Sequence, residues 1–248
     1  MGRWTAGWRR ALVIVLALAG MALTFSLGRW QLARAEQKQA MQAAQAQRQR
    51  LPALNAGALA PPVQPGDARI HRHVQLQGQW LPAYTVFLDN RPMQGHSGFI
   101  VLTPLRLAHA NASDADVVLV QRGWAPRNFA QRDALPPVQT PAGLVHVTGR
   151  LAERPPAVYA LGQEGSGQIR QNLDIAGFQR ETGLPLAALI VVQTGASSDG
   201  LRRDWPEPAT GVHKHHGYAF QWFGLCALIG LLFMWFQVVR PLQQTFRH

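Results

Sequence analysis

"HKHHGYAFQWFGLCALIGLLFMWFQVVR", residues 213–240, places three histidines directly before an apolar run. From Tyr218 to Val239 there are 22 residues without an acidic, basic or histidine side chain. As a helix rising 1.5 Å per residue, that run reaches about 33 Å, enough to cross a hydrocarbon core of roughly 30 Å. Trp222 and Trp235 stand near its two ends, at the depth where amphipathic rings favour the headgroups. The stretch therefore predicts a transmembrane helix over 218–239, with His213, His215 and His216 at its mouth.

A second apolar block, "ALVIVLALAGMALTFSLG", fills 11–28 between Arg10 and Arg29. It spans about 27 Å, short but sufficient with flanking arginines reaching outward. Trp4, Trp8 and Trp30 flank it. The basic start and the "ALA" at 17–19 also fit a secretory signal peptide, but the apolar run continues through Leu27 with no polar stretch leading to a cut. An uncleaved anchor is the expectation. Two spans put both termini on one side, and Arg9 and Arg10 abutting the first span favour the cytoplasm.

The chain of 248 residues carries a formal charge of +11, yet its basic residues are scattered rather than blocked. Nucleic-acid binding is not indicated, and attraction to anionic lipid or an acidic partner is the milder reading. The single cysteine, Cys226, lies in the second apolar run, so the loop between the runs forms no disulfide and no CxxC metal motif exists.

Residues 29–50 are rich in helix formers and contain neither Gly nor Pro, which predicts a helix continuing out of the first span. The four prolines and two glycines of 51–70 read as a linker. Strand signals follow at 73–80, 84–90, 98–107, 116–124, 143–153 and 188–195. Between them, 171–183 has a helical period with Asp174 as its cap. Short strands joined by Gly and Pro turns argue for an α+β domain built on an antiparallel, barrel- or sandwich-like sheet. The expected order is N-terminus 1–10, span 11–28, helical extension and linker 29–68, β-rich domain 69–205, connector with the histidine cluster 206–217, span 218–239 and C-terminus 240–248.

No nucleophile elbow, phosphate loop, HExxH or zinc cysteine set occurs. The expectation is a protein that is not an enzyme, although triads assembled from distant residues leave no spacing to read. "FLDNRPMQG" puts Asp89 and Arg91 two apart, and "LVQRGWAPRN" gives Arg122, Gly123 and Trp124. Either these arginines present forks to a carboxylate or a partner's acid, or they pair internally, for instance Asp89 with Arg122, to hold two hairpins together. His71 and His73 can share a strand face, but two ligands make no metal site, and a surface pair is the simpler reading. For the opening cluster, His215 lies above Ala219, Trp222 and Cys226 at helical spacing, and His216 above Phe220 and Phe223. A neutral imidazole over an aromatic, small-residue stripe is what a haem iron and its flat ring need. Polar residues ending a span at the headgroups explain the same letters.

The motifs "LGRWQLARAEQK", "VFLDNRPMQGHSGFIVLTPL", "VLVQRGWAPRN", "VTGRLAERP" and "HHGYAFQWFG" run in that order from Leu27 to Gly224. In this they resemble the Surfeit locus protein family of cytochrome c oxidase assembly factors. The resemblance implies a multi-pass protein of the bacterial inner membrane, with the large loop in the periplasm and both termini in the cytoplasm. It implies a chaperone-like role in the respiratory chain: assisting assembly of subunit I of haem–copper oxidase alongside other assembly proteins, and binding haem a. The family's histidine stands three residues before the tyrosine that opens the second span. That position is His215 before Tyr218, with His216 as a neighbour that tunes or replaces it and Trp222 as part of the cofactor wall. Trp30 and Gln31 would pack where the first helix meets the second. Arg91, Arg122, Gly123 and Trp124 would shape the β domain or meet the partner. A scaffold that binds no haem, and a membrane-anchored enzyme, are the competing functions. Self-association is left open.

Overall fold

The computed structural model describes residues 2–64, 66–108, 116–128, 134–158, 167–197, 199–205 and 211–245, with side chains described from 7 to 243. The Trp4 ring and parts of the 108–116 loop, the 154–172 region and the 206–217 connector lie outside the described residues. The chain forms two units: a helical one, Met1–Ala44 with Pro208–His248, and a β-rich one, Gln45–Glu207.

In the helical unit, α1 (Gly2–Arg50) is one unbroken helix of 49 residues. Its sequence holds no proline before Pro52, and the helix ends ahead of it because the residue before a proline is driven out of helical geometry. The α3 helix (Val212–Met234) follows Gly211, whose φ of 60° turns the chain into the first turn. It continues through one wide turn, Trp235–Val239, into a last short helix, Arg240–Thr245. Both long helices are long and apolar enough to cross a membrane. Leu16, Leu23, Phe220 and Leu231 are each more than 60 % exposed, a surface suited to lipid rather than water.

Small residues let the two helices meet. Among the described residues, Thr24, Gly28 and Ala35 are the buried positions along α1, and Val212 and Ala219 those along α3. The spacings of four and seven place each set on a single stripe. A Cβ on Gly28 would stand 2.7 Å from the Phe223 ring. One turn earlier, Phe25 meets Phe223 edge-on with centroids 5.6 Å apart. Close approach through small residues is the usual way helices associate where water supplies no driving force.

The β unit contains, among the described residues, seven strands: β1 (His73–Trp80), β2 (Val86–Leu88), β3 (Gly98–Leu107), β4 (Val117–Pro126), β5 (Leu144–Ala152), β6 (Ile169–Arg170) and β7 (Leu186–Gln193). Five of them, in the order β1-β5-β7-β4-β3, close into a barrel when β1 pairs again with β3. The short strands β2 and β6 extend from β3. Alternation sends Val74, Leu76, Leu105, Val120, Val147 and Leu189 into one cluster to which all five barrel strands contribute. The opposite face buries Leu102, Leu119 and Ile190 against β2 and against Phe178 of α2 (Ile175–Thr182). Asp174 caps α2 as expected, accepting from the Gly177 N–H at 2.7 Å.

Three expectations change. The sheet is not wholly antiparallel: β4–β7 and β2–β6 are parallel, because the long excursion through β5, β6 and α2 returns the chain beside β4 in its own direction. The stretch 51–70 is not a free linker. Leu54 bridges to Val74, Leu59 and Ile70 are buried in the barrel cluster, and the Arg69 guanidinium donates to the carbonyls of Ala58, Ala60 and Pro62. Its prolines remove donors without preventing burial of the leucines between them. Asp67 pairs with Arg69 at 2.6 Å, and the hydrogen bonds from Arg69 hold its carboxyl at about 2. Finally, the strand expected over 84–90 shrinks to three residues, since Tyr84 belongs to a short helical turn started by Pro82.

Candidate functional site

The three histidines separate on the first turn of α3. His213 and His216 are exposed, while His215 is half-buried. Its Nδ1 lies 2.7 Å from Oε1 of Gln31 on α1. An amide oxygen only accepts, so Nδ1 is the donor of this bond, and in the neutral imidazole Nε2 keeps its lone pair. Imidazoles that bind metals are commonly held this way, with the second nitrogen donating to an oxygen that fixes the tautomer and the ring plane. Among the described residues no group of three or more His, Cys, Asp or Glu is gathered to hold an ion. A lone imidazole does not hold a bare metal ion, but it suffices as the axial ligand to an iron already carried by a macrocycle.

Directly below His215, the stripe of small and aromatic residues is taken up by α1. Ala219 is 2 % exposed, and Phe223 fills the space over Gly28. A flat group bound at His215 therefore has no slot between the helices at that level. The apolar surface open to it lies outside the stripe, where Tyr218 is half-exposed and Phe220 almost fully so. Trp222 is half-buried.

The strand-end arginines both lie in the β unit and both are buried, but they do not converge. The Arg91 guanidinium donates to the carbonyls of Asp89, Pro156 and Gln171 at 3.0, 2.9 and 2.5 Å, and so joins the β2–β3 turn to the segments flanking β6. Burial pushes it down from its ordinary value, and the Asp89 charge opposes this. Trp124 belongs to the same knot, its indole N–H donating to the Arg91 carbonyl at 2.6 Å. Arg122 is the extra residue of a bulge in β4: Gln121 pairs with Leu102 and Gly123 with Val101, leaving Arg122 without a cross-strand partner. Bulges re-aim side chains in this way. Arg122 stacks over the Trp80 ring at 4.6 Å and reaches Thr140 Oγ1, the Gln139 carbonyl and Asp199 at 2.7, 2.7 and 3.1 Å. Gly123 is a glycine because a Cβ there would stand 2.5 Å from Cβ of Leu201, in the segment that pairs with Trp124 through Arg202.

Internal pairing of these arginines was anticipated in kind, but not with these partners. Asp89 pairs with Arg127 at 2.8 Å, and Arg122 with Asp199. Asp199 and Arg203 stand four apart in the polar stretch "SSDGLRRDW". Their (i, i+4) charge spacing was the one available signal, and Arg203 donates to Asp199 at 2.5 Å. His71 adopts a φ of 71° just before β1, so it and His73 do not continue one strand. Burial and nearby arginines hold His71 below its ordinary value.

Compared with known proteins, the chain matches the model of the SURF1 family over residues 18–227. It is 22 % identical over 228 residues to a SURF1-like protein of Rickettsia felis, covering 89 % of this chain and 94 % of that one.

Proposed function

The chain belongs to the SURF1 family, and from that premise we propose that it is an assembly factor for haem–copper cytochrome c oxidase that binds haem a through His215. It acts without catalysing a reaction, in the bacterial inner membrane, with the β unit in the periplasm and both termini in the cytoplasm. Its client is subunit I of the oxidase.

The observation that carries this reading is the 2.7 Å contact between His215 Nδ1 and Gln31 Oε1. It selects one histidine of three, fixes its tautomer and leaves Nε2 as the donor. The two residues come from the first and last of the motifs that link the chain to its family. The residues fit the cofactor: His215 would hold the iron, and the exposed Tyr218 and Phe220 would offer an apolar face beside it. When bound, haem a would supply an iron for the imidazole to ligate and a flat apolar ring. The protein's part is to orient the imidazole, favour its neutral form and lend the ring an apolar face. His216, exposed one residue on, tunes that environment.

The test is purification of the full chain from cells that make haem a, comparing wild type with His215→Ala, His216→Ala and His213→Ala. Loss of most haem absorbance in the first variant alone, with unchanged circular dichroism, supports the assignment. Equal haem content in all four proteins overturns it. A colourless wild type that still co-purifies with subunit I identifies a haem-free scaffold instead.

A further inference from the structure

Among the described residues, five arginines of the β unit have an acid as partner: Arg69 pairs with Asp67, Arg122 and Arg203 with Asp199, Arg127 with Asp89, and Arg170 with Glu181. Arg48 and Arg150 do not. Neither guanidinium has a hydrogen bond or an ion pair to any described residue. Both side chains are half-buried, so they are partly stripped of water yet still open to a partner from outside. Burial pushes Arg150 below its ordinary value without an opposing acid, whereas Asp89 and Asp199 support Arg91 and Arg122.

The two arginines belong to one corner of the β unit. Arg150, near the end of β5, stands opposite His73 at the start of β1. Two residues before His73, the His71 N–H donates to the Leu151 carbonyl at 2.9 Å. The chain that follows Arg48 meets the same stretch: the Leu54 N–H donates to the His73 carbonyl at 2.8 Å, and the Arg72 guanidinium to the Pro52 carbonyl at 2.8 Å. His71 senses both charges, since after burial it is Arg150 and Arg48 that hold it below its ordinary value. These elements bring almost no acid with them. Between Glu36 and Asp89 the only acid in the sequence is Asp67, which is engaged by Arg69, and between Asp133 and Glu153 there is none. Cations gathered out of full hydration without a counter-charge are costly until an anion joins them.

The same outer face of the sheet continues as a groove. Gln75 stands opposite Thr148 and Gln77 opposite His146, two and four residues on from His73. All four are exposed, and with the neighbouring backbone they line a space of about 400 Å³. Glutamine amides both donate and accept, as a peptide backbone laid across them requires.

We propose that this corner docks an acidic, extended segment of another protein. Carboxylates of that segment meet Arg150 and Arg48, and its backbone runs along the glutamines of β1. The open groove beside the charges favours a chain over a compact ion, and the complementarity of charge selects an acidic one. The proposal rests on the β unit alone and is independent of haem at His215.

The experiment is calorimetric titration of the full-length protein, in non-ionic detergent at low ionic strength, with hexaglutamate and with hexaglutamine as its neutral counterpart. Wild type is compared with four variants. Arg150→Met keeps an apolar stem and loses the charge; Arg150→Lys keeps the charge; Arg48→Gln removes the second charge. Arg106→Met removes an exposed charge at the other end of β1, opposite Gln79. The expected result is saturable binding of hexaglutamate and none of hexaglutamine. Affinity should fall at least about tenfold in Arg150→Met and in Arg48→Gln, and stay within about threefold of wild type in Arg150→Lys and Arg106→Met. Should Arg150→Met fail to fold, Arg48→Gln decides alone. Absence of hexaglutamate binding, unchanged affinity in these two charge-removing variants, or an equal loss in Arg106→Met overturns the proposal. Displacement of the peptide by an equal concentration of inorganic phosphate also overturns it, identifying a small-anion site instead.

Discussion

The Phe223 ring occupies the space that a side chain on Gly28 would need, its Cε1 only 2.7 Å from where that Cβ would stand. The two helices are in register because one position lacks a side chain and the other has a large one. Gly28→Val should therefore weaken their association by about 1–3 kcal/mol, the usual cost of overpacking. Adding Phe223→Ala should recover part of that loss, giving a clear coupling in a double-mutant cycle. Thermal unfolding of the four proteins in one detergent measures it, and simple additivity of the two substitutions would show that the contact does not set the helix spacing.

Asp199 is the carboxylate on which two buried guanidiniums depend. Asp199→Asn keeps its shape and removes its charge, leaving Arg122 and Arg203 to repel each other out of reach of water. The expected loss is about 3–5 kcal/mol of stability in the β unit, as for other broken buried pairs. Urea unfolding followed by tryptophan fluorescence reads it. A loss under about 1 kcal/mol would mean that solvent already screens the network.

Acid should loosen the segment before β1. Asp67 has its carboxyl at about 2, below the ordinary 3.8, through hydrogen bonds from Arg69. A carboxylate whose value is lowered by folding stabilises the fold fully above its ordinary value and loses that contribution as the pH falls through the folded one. Wild type should thus exceed Asp67→Asn in stability at pH 5, and the gap should close as the pH approaches about 2. A gap that stays constant between those two values would assign the difference to shape rather than charge.

Periodicity made β1 and β3 readable to the residue, because Val74, Leu76 and Trp80 alternate with polar neighbours and 98–107 is apolar on both faces. Helix 29–50 was legible from composition, and the cap of α2 from a single aspartate. What escaped is what depends on distant chain. No local pattern says that β7 inserts between β5 and β4, or that Arg122 is an unpaired bulge residue rather than part of a regular strand. Proline content hid the burial of Leu59 and Ile70 because it reports backbone donors, not where the leucines between the prolines go. At the helix junction, spacing raised His215 and His216 alike and the family resemblance pointed to His215; the facing helix, through Gln31, is what sets His215 apart in the structure.

The strand order also sets what an incomplete chain would look like. Because β7 sits between β4 and β5, a polypeptide interrupted between Ala152 and Leu186 leaves these two long strands with their hydrogen-bonding edges bare. Such edges template pairing between molecules. Premature termination between β5 and β7 would therefore yield not a smaller version of this protein but an aggregating fragment, already carrying its first apolar helix.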